Sequence, residues 1–411
     1  MRQRFLLVAG ILAAFSAVGA DWMQFRGPGG AGTSDATGLP SVWSSKENIV
    51  WRTKLPGPGT SCPIVVGKRV YLTCYSGYGL EPDKGDMDKL MRHLVCIDRH
   101  KGEILWTKDF KPVLPESKYQ RGNDSEHGYS SSTPASDGKR LYVFFGKSGV
   151  YCLDLDGKAI WHKSVGTGTS GWGSSNSPVL YKDVVIVNGS VECGSLVALN
   201  KDTGEEVWRA KGISSSWNTP VLVDVPDKGA ELVVNESRAV IGFDPASGKE
   251  LWRVTGFDGY VCPSVVAHKG VVYVVRGGAL AIKAGGRGDV TKTHVLWRGK
   301  GNSLVPSPVY HDGLLYWPGA SCLDATTGKE VYYKGFSKGG NFYASPVVAD
   351  GKIYCVSRFG GTYVLAAGKT FKELALNKFE DDDSRTNASP IVSDGCLLLR
   401  TDRNLFCIGK K

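Results

Sequence analysis

At 411 residues the chain is long enough for two or three ordinary domains, but 53 glycines, 10% aromatic residues and no sustained helical period point to short strands joined by turns. The formal charge of +10 is scattered over turns such as 67–69, Lys249 and Lys329, with no block of Lys and Arg interleaved with aromatics, which argues against a nucleic-acid surface. The ten cysteines contain no CxxC and the seven histidines no i, i+4 pair, so neither a thiol redox motif nor a zinc site is expected.

Residues 1–20 carry Arg2 and Arg4, an apolar run over 5–17 and small residues before Asp21, the pattern of a secretory signal peptide. The run is shorter than the roughly 20 residues a bilayer requires, so cleavage is expected, with no membrane span afterwards. No cysteine follows the cleavage point to take a lipid anchor. The next segment, 21–47, is rich in glycine and lacks periodicity, so it is expected to run extended over the surface. Residues 48–54, NIVWRTK, read as a strand that ends a repeat with no beginning.

From there two elements alternate. One is a small residue, Pro, an apolar strand, a polar turn and a second apolar strand. Its copies start at Pro63, Pro134, Pro178, Pro220, Pro263, Pro308, Pro346 and Pro390, spaced 71, 44, 42, 43, 45, 38 and 44. The other is a strand, a turn and a strand ending in an aromatic residue, as in VIGFDPASGKELW over 240–252. Its turn is written by Asp244, Pro245 and Gly248, which respectively bond the backbone, preset φ and tolerate positive φ. The same frame ends at Trp106, Trp161, Trp208 and Tyr332. The fifth copy replaces the turn with 283–293 but keeps Trp297.

Four strands at a period near 45 are the signature of a β-propeller. The eighth copy lacks its fourth strand, and 48–54 is a fourth strand without a blade. The two defects cancel if the N-terminal strand completes the last blade, which also removes an open sheet edge. The expected fold is therefore all-β: an eight-bladed β-propeller of four-stranded antiparallel blades over 21–411, its last blade closed by 48–54. A tryptophan at one place per repeat is expected to pack over the turn of the next blade. Two insertions in the first repeat, 75–92 and 110–127, are the long loops where function usually sits.

The repeat segments SSTPASDGKRLYVFFGKSG, GFDPASGKELW and CLDATTGK resemble the pyrrolo-quinoline quinone (PQQ) repeat of eight-bladed propellers, and the resemblance covers almost everything after Trp51. The opening DWMQFRGPGGAGTSDATGLPSVWSSKENIVWRTKLPG resembles the start of exported bacterial PQQ-repeat proteins. Among relatives of this fold, quinoprotein alcohol dehydrogenases hold PQQ and calcium in a central funnel. The lipoprotein of the outer-membrane barrel-assembly machinery holds no quinone. The resemblance implies the propeller; the repeat's defining residues pack blades and do not themselves imply a cofactor.

Candidate functional residues follow from that geometry. Positions ahead of each Pro-led strand ring one end of the channel: His127, Tyr129, Trp172, Asn176, Trp217, Asn218, Asn341 and Asn387. Positions ending the second strand, such as Glu192, Arg238, Arg276 and Arg358, are expected to join them. Aromatic, amide and guanidinium groups around a concavity suit a polar or carboxylated ligand. His127 as a general base would need a carboxylate, with Asp124 and Glu126 adjacent in sequence. The GxGxxG match at 166–171 has no helix after it and reads as a loop, and the acidic run 380–383 reads as solvated. Cys62 and Cys74 flank the turn at 67–69 symmetrically, so a strained disulfide is geometrically allowed beside the simpler reading of free buried thiols.

The sequence expectation is a periplasmic or secreted, monomeric, non-enzymatic propeller that binds a protein or small polar ligand. No metal site is assigned. The alternatives are a PQQ-dependent dehydrogenase with calcium, for which the vicinal cysteine pair is absent and no base can be placed, and an assembly scaffold similar to the barrel-assembly lipoprotein.

Overall fold

The structure, a computed structural model, describes residues 21–120 and 127–410; the expected signal segment 1–20 and the carboxylates Asp124 and Glu126 lie outside the described residues. Eight antiparallel sheets of four strands each follow one another round a ring. Blade 1 is typical: Ile64–Val66, Arg69–Ser76, Met91–Asp98 and Ile104–Phe110, from the channel outward. The last blade pairs Asn404–Ile408 with Ile49–Lys54, so the N-terminal strand closes the ring as its sequence implies. Two blades gain a two-residue parallel strand. Thr33–Ser34 lies on the inner strand of blade 7, and Gly288–Asp289, from the insertion in the fifth repeat, lies on the outer strand of blade 4.

The outer joint of the ring is aromatic. Trp51, Trp106, Trp161, Trp208 and Trp297 each lie against the turn glycine of the following blade: Gly102, Gly157, Gly204, Gly248 and Gly328. All five glycines have φ between 70° and 83°. A Cβ at Gly248 would sit 2.4 Å from the Trp208 ring, so glycine is required twice, by conformation and by contact. Four of the indoles also donate to a turn carbonyl of the next blade: Trp51 to Arg99, Trp161 to Lys201 and Trp297 to Ala325 at 2.9 Å, and Trp208 to Pro245 at 3.2 Å. Blade 5 has no such turn. Trp252 turns inward instead and donates to the buried Glu231 at 2.6 Å.

The inner joint is a ring of hydroxyls. The backbone N–H of Cys62 donates to the Thr133 hydroxyl at 2.9 Å, and the pattern runs on through Ser177, Thr219, Ser264, Ser307, Ser345 and Ser389, one residue per blade, at 2.9–3.1 Å. Ser389 meets the Cys62 thiol through its amide and hydroxyl and completes the circle. In blade 5 this corrects the sequence frame. Ser264 takes the ring position and the inner strand starts at Val266, so Val265, not Pro263, stands where the other blades have proline.

Two further expectations change. Segment 21–47 is not a surface ribbon: Trp22, Arg26, Leu39 and Trp43 are buried. It crosses one end of the channel, pairing Trp22 with Val65 of blade 1, passing Arg26 to the Pro308 carbonyl of blade 6, and then joining blade 7. The Cys62–Cys74 bridge is absent, and all ten cysteines are free thiols. The turn is two residues long, with Val66 opposite Arg69, which puts Cys62 out of step with Cys74. Cys74 instead receives Arg400 Nη2 at 3.4 Å.

Two outcomes test these joints. Gly248→Ala should cost about 2–4 kcal/mol by urea unfolding, combining backbone strain with overpacking, whereas Gly229→Ala, with φ 83° and open space around its Cβ, should cost only about 1–2 kcal/mol. Alkylation under denaturing conditions followed by peptide mapping should find Cys62 and Cys74 separately modified and not joined to each other.

Candidate functional site

The loops that lead into the inner strands converge above the hydroxyl ring and wall a funnel of about 250 Å³. Its floor is the ring itself, Cys62 to Ser389, with Phe25 of the N-terminal segment beneath. Its mouth is aromatic: Trp172, Trp217, Tyr260 and Tyr343, with Leu304 beside them. Trp172 and Tyr260 are largely exposed, at 46% and 61%, so apolar ring surface faces solvent at the rim. Among the described lining residues none is Asp, Glu, Lys or Arg.

Six of the sequence candidates meet here: His127, Trp172, Trp217, Asn218, Asn341 and Asn387. The Trp217 indole donates to the Gly173 carbonyl at 2.9 Å, which fixes the plane of its ring. Asn218 is held from behind, donating to the Ser216 hydroxyl at 2.9 Å and to the Asn235 carbonyl while its own carbonyl accepts from the Asn235 amide at 3.3 Å. His127 bonds the Trp172 carbonyl through Nε2 and the Ser131 hydroxyl through Nδ1, the latter at 2.8 Å. A carbonyl only accepts, so Nε2 carries the proton, and in the neutral ring Nδ1 accepts from the Ser131 hydroxyl. Both ring nitrogens of His127 are thus engaged in loop hydrogen bonds.

The other six go elsewhere, Glu192 to a crevice behind the funnel. Tyr129 is buried in an aromatic cluster with Tyr75, Tyr78 and Tyr119, built from the two insertions of blade 1, and its hydroxyl donates to the Ser117 carbonyl at 2.6 Å. Asn176 is wholly buried, and neither end of its amide has a partner. Arg238 is exposed and does not line the funnel. Arg276 donates to Asn235 Oδ1 and to the carbonyls of Glu236, Ser237 and Asp258 at 2.5–3.1 Å, locking blade 4 to blade 5. Arg358 is buried against the rings of Tyr343 and Phe359, 4.2 and 5.4 Å from their centroids.

Behind the funnel, between blades 1, 2 and 3, a crevice of about 30 Å³ holds the buried Glu192. Burial pushes its carboxyl up to about 7, the nearby Ser174 hydroxyl and its own amide offset this in part, and Glu116 adds to it. Ser174 is close but not in bonding geometry, so neither carboxyl oxygen has a partner. On the same crevice Arg92 pairs with Glu116 at 2.7 Å. The GxGxxG loop forms its outer wall. A Cβ at Gly166 or Gly168 would lie 2.3 Å from a main-chain oxygen of Glu192 or Val191, so those glycines permit close backbone approach and have nothing to do with phosphate. The acidic run is exposed, as expected, except at Asp382, which is buried and accepts from Thr401 and Asn404; Asp381 and Asp383 make surface pairs with Arg52 and Arg403.

Residues 90–255 and 192–314 match the family model PQQ_2, described as outer membrane protein assembly factor BamB. These matches span more than half of the chain. The chain belongs to the PQQ_2 propeller family. No curated protein matches it. Among solved structures it is similar to the quinohemoprotein alcohol dehydrogenase of Comamonas testosteroni, with a TM-score of 0.66 and 12% identity over 97% of this chain and 82% of that one. A europium-containing methanol dehydrogenase gives 0.63 and 12% over 95% and 98%. BamB of Moraxella catarrhalis gives 0.56 and 12% over 88% and 99%. Identities this low establish the fold the PQQ_2 chain shares with these proteins and not an activity.

The fold's association with PQQ and calcium can be tested on the donor set. A calcium ion needs several oxygen ligands, and a quinone that bears carboxylates needs cations. The funnel wall offers neutral hydroxyl and amide oxygens but no Asp, Glu, Lys or Arg among the described residues, Glu192 lies outside it, and Arg276 is spent on main-chain and amide oxygens. The residues present do not fit the group.

Glu192 has a measurable signature. Its carboxyl titrates higher in the folded chain than in the unfolded one, so its contribution to stability is full below about pH 4.5 and is lost as pH rises through about 7. Glu192→Gln should therefore gain on the wild type by about 3 kcal/mol between pH 4.5 and 8 in denaturant unfolding. A pH-independent difference would mean that the carboxyl is charged and paired in the folded state.

Proposed function

We propose that this protein is an exported, non-enzymatic binding propeller whose funnel holds a small uncharged ligand with a flat apolar face and a hydroxyl- or amide-bearing edge. The observation that carries the reading is the funnel's chemistry. Indole and phenol rings stand at the mouth, amides partway down and a circle of hydroxyls at the floor, with no charged side chain among the described lining residues. Flat rings offer dispersion contact to any planar or saturated-ring face, and the amides fix its orientation. The engaged Nδ1 of His127 and the lack of a carboxylate among the described lining residues favour holding over chemistry. The signal-like segment 1–20 supports export, to the periplasm or outside the cell.

The direct test is a tryptophan-fluorescence titration with a panel of neutral mono- and disaccharides and neutral heterocycles. A saturable response is expected for at least one class, weakened at least about tenfold, the equivalent of ~1.4 kcal/mol, in Trp217→Ala. Silence across the panel would sink the binding reading. Dye reduction after reconstitution with PQQ and calcium would replace it with a quinoprotein enzyme.

A further inference from the structure

The two insertions of blade 1 meet at a side-chain cluster that the funnel does not use. Ser76 ends the second strand as the first insertion begins, His93 stands just past that insertion, and Asp109 directly precedes the second. His93 pairs with Cys74 on one side and with Asp109 on the other, and Ser76 is two residues on from Cys74. All three side chains therefore share one face of the sheet. Ser76 Oγ lies 2.7 Å from His93 Nε2, and His93 Nδ1 lies 2.7 Å from Asp109 Oδ1.

The chemistry of these bonds sets the direction of each proton. A carboxylate only accepts, so Nδ1 carries the ring proton. In the neutral ring Nε2 is then the lone pair, and the Ser76 hydroxyl donates to it. A serine hydroxyl on the lone pair of an imidazole, whose other nitrogen is oriented by a carboxylate, is the arrangement that activates serine as a nucleophile.

The surroundings leave the hydroxyl accessible. Ser76 is half-buried, and the next residue, Gly77, is exposed. Gly77 sits at φ 81°, and a Cβ there would lie 1.8 Å from the Lys89 carbonyl oxygen, so no side chain can stand over Ser76 from that position. Among the described residues the Gly77 N–H makes no main-chain hydrogen bond, which leaves it to an oxygen that gains negative charge beside Ser76. His93 is 8% exposed, so its ring is held in place by packing. Asp109 is exposed and acts through His93, as a positioning residue.

We propose that Ser76 is a nucleophile that accepts the acyl group of an activated carboxylic ester. Its Oγ bonds the acyl carbon and its proton passes to His93 Nε2. The bond from the acyl carbon to the leaving oxygen breaks, and the alcohol or phenol departs with that proton. The products are an O-acyl serine and a free alcohol. The step takes place on blade 1, a transfer onto the protein itself, and does not depend on what the funnel holds.

The full exported chain treated with p-nitrophenyl acetate tests it, read as p-nitrophenol release and by peptide mapping of the acetyl group. A release phase that Ser76→Ala lacks is expected, with acetyl on Ser76. His93→Gln should slow that phase by about 100-fold, the scale of a lost general base. If that variant does not fold, Asp109→Asn, at an exposed position, should slow it at least about tenfold without moving the thermal midpoint. Equal release by wild type and Ser76→Ala would overturn the proposal, as would a Ser76-dependent phase that neither the His93 nor the Asp109 variant slows. The three residues would then be a cross-strand bond that pins the ends of the two insertions.

Discussion

The circle of amide-to-hydroxyl bonds around the channel is the constraint on which the rest of the structure depends. Each bond joins one blade to the next; seven end on a hydroxyl, and the last, from Ser389, meets the Cys62 thiol. A Ser or Thr ahead of the inner strand is the smallest group able to accept from the previous blade while leaving the axis open. The same circle then becomes the floor of the funnel. Architecture and binding chemistry are written in one set of atoms, which explains why the floor is polar yet uncharged.

The outer joint works differently. There the indoles lock over turn glycines, and the fit is steric. Where the repeat breaks its own rule, a substitute is visible. Blade 5 has no turn for Trp252, and Glu231 accepts its N–H instead, also receiving the Gly285 amide and the Arg287 guanidinium. A buried carboxylate here satisfies three donors that the insertion at 283–293 would otherwise leave unmatched.

The ring was legible in the sequence because repetition multiplies a weak signal: one Asp-x-x-x-Gly-Lys turn is ambiguous, while a series at a period near 45 is not. The half-blades at the two ends were legible for the same reason, as a missing piece and a spare one. The site was legible only in part. The pre-proline positions point into the funnel because strand geometry puts them there, which gathers His127, Trp172 and the three asparagines at 218, 341 and 387. The arginines misled because residue type says nothing about whether a donor is spent. Arg276 holds two blades together, and Arg358 packs on aromatic rings. Arg26 was missed altogether, since a glycine-rich stretch without periodicity carries no pattern that distinguishes a surface ribbon from a plug. Its neighbours Trp22 and Phe25 were the available hint, as two large aromatics are costly to leave on a surface ribbon.

The seam that closes the last blade has a consequence in time. Ile49 pairs with Ile408, so one strand of that sheet is made before the other seven blades and its partner after them. Until the late strand arrives, the early one has an unpaired edge, and seven blades curve round without a lock. A contact of such sequence separation is slow to form. A chain so arranged cannot lock its ring until blade 8 is complete, whatever the order in which the other seven blades form.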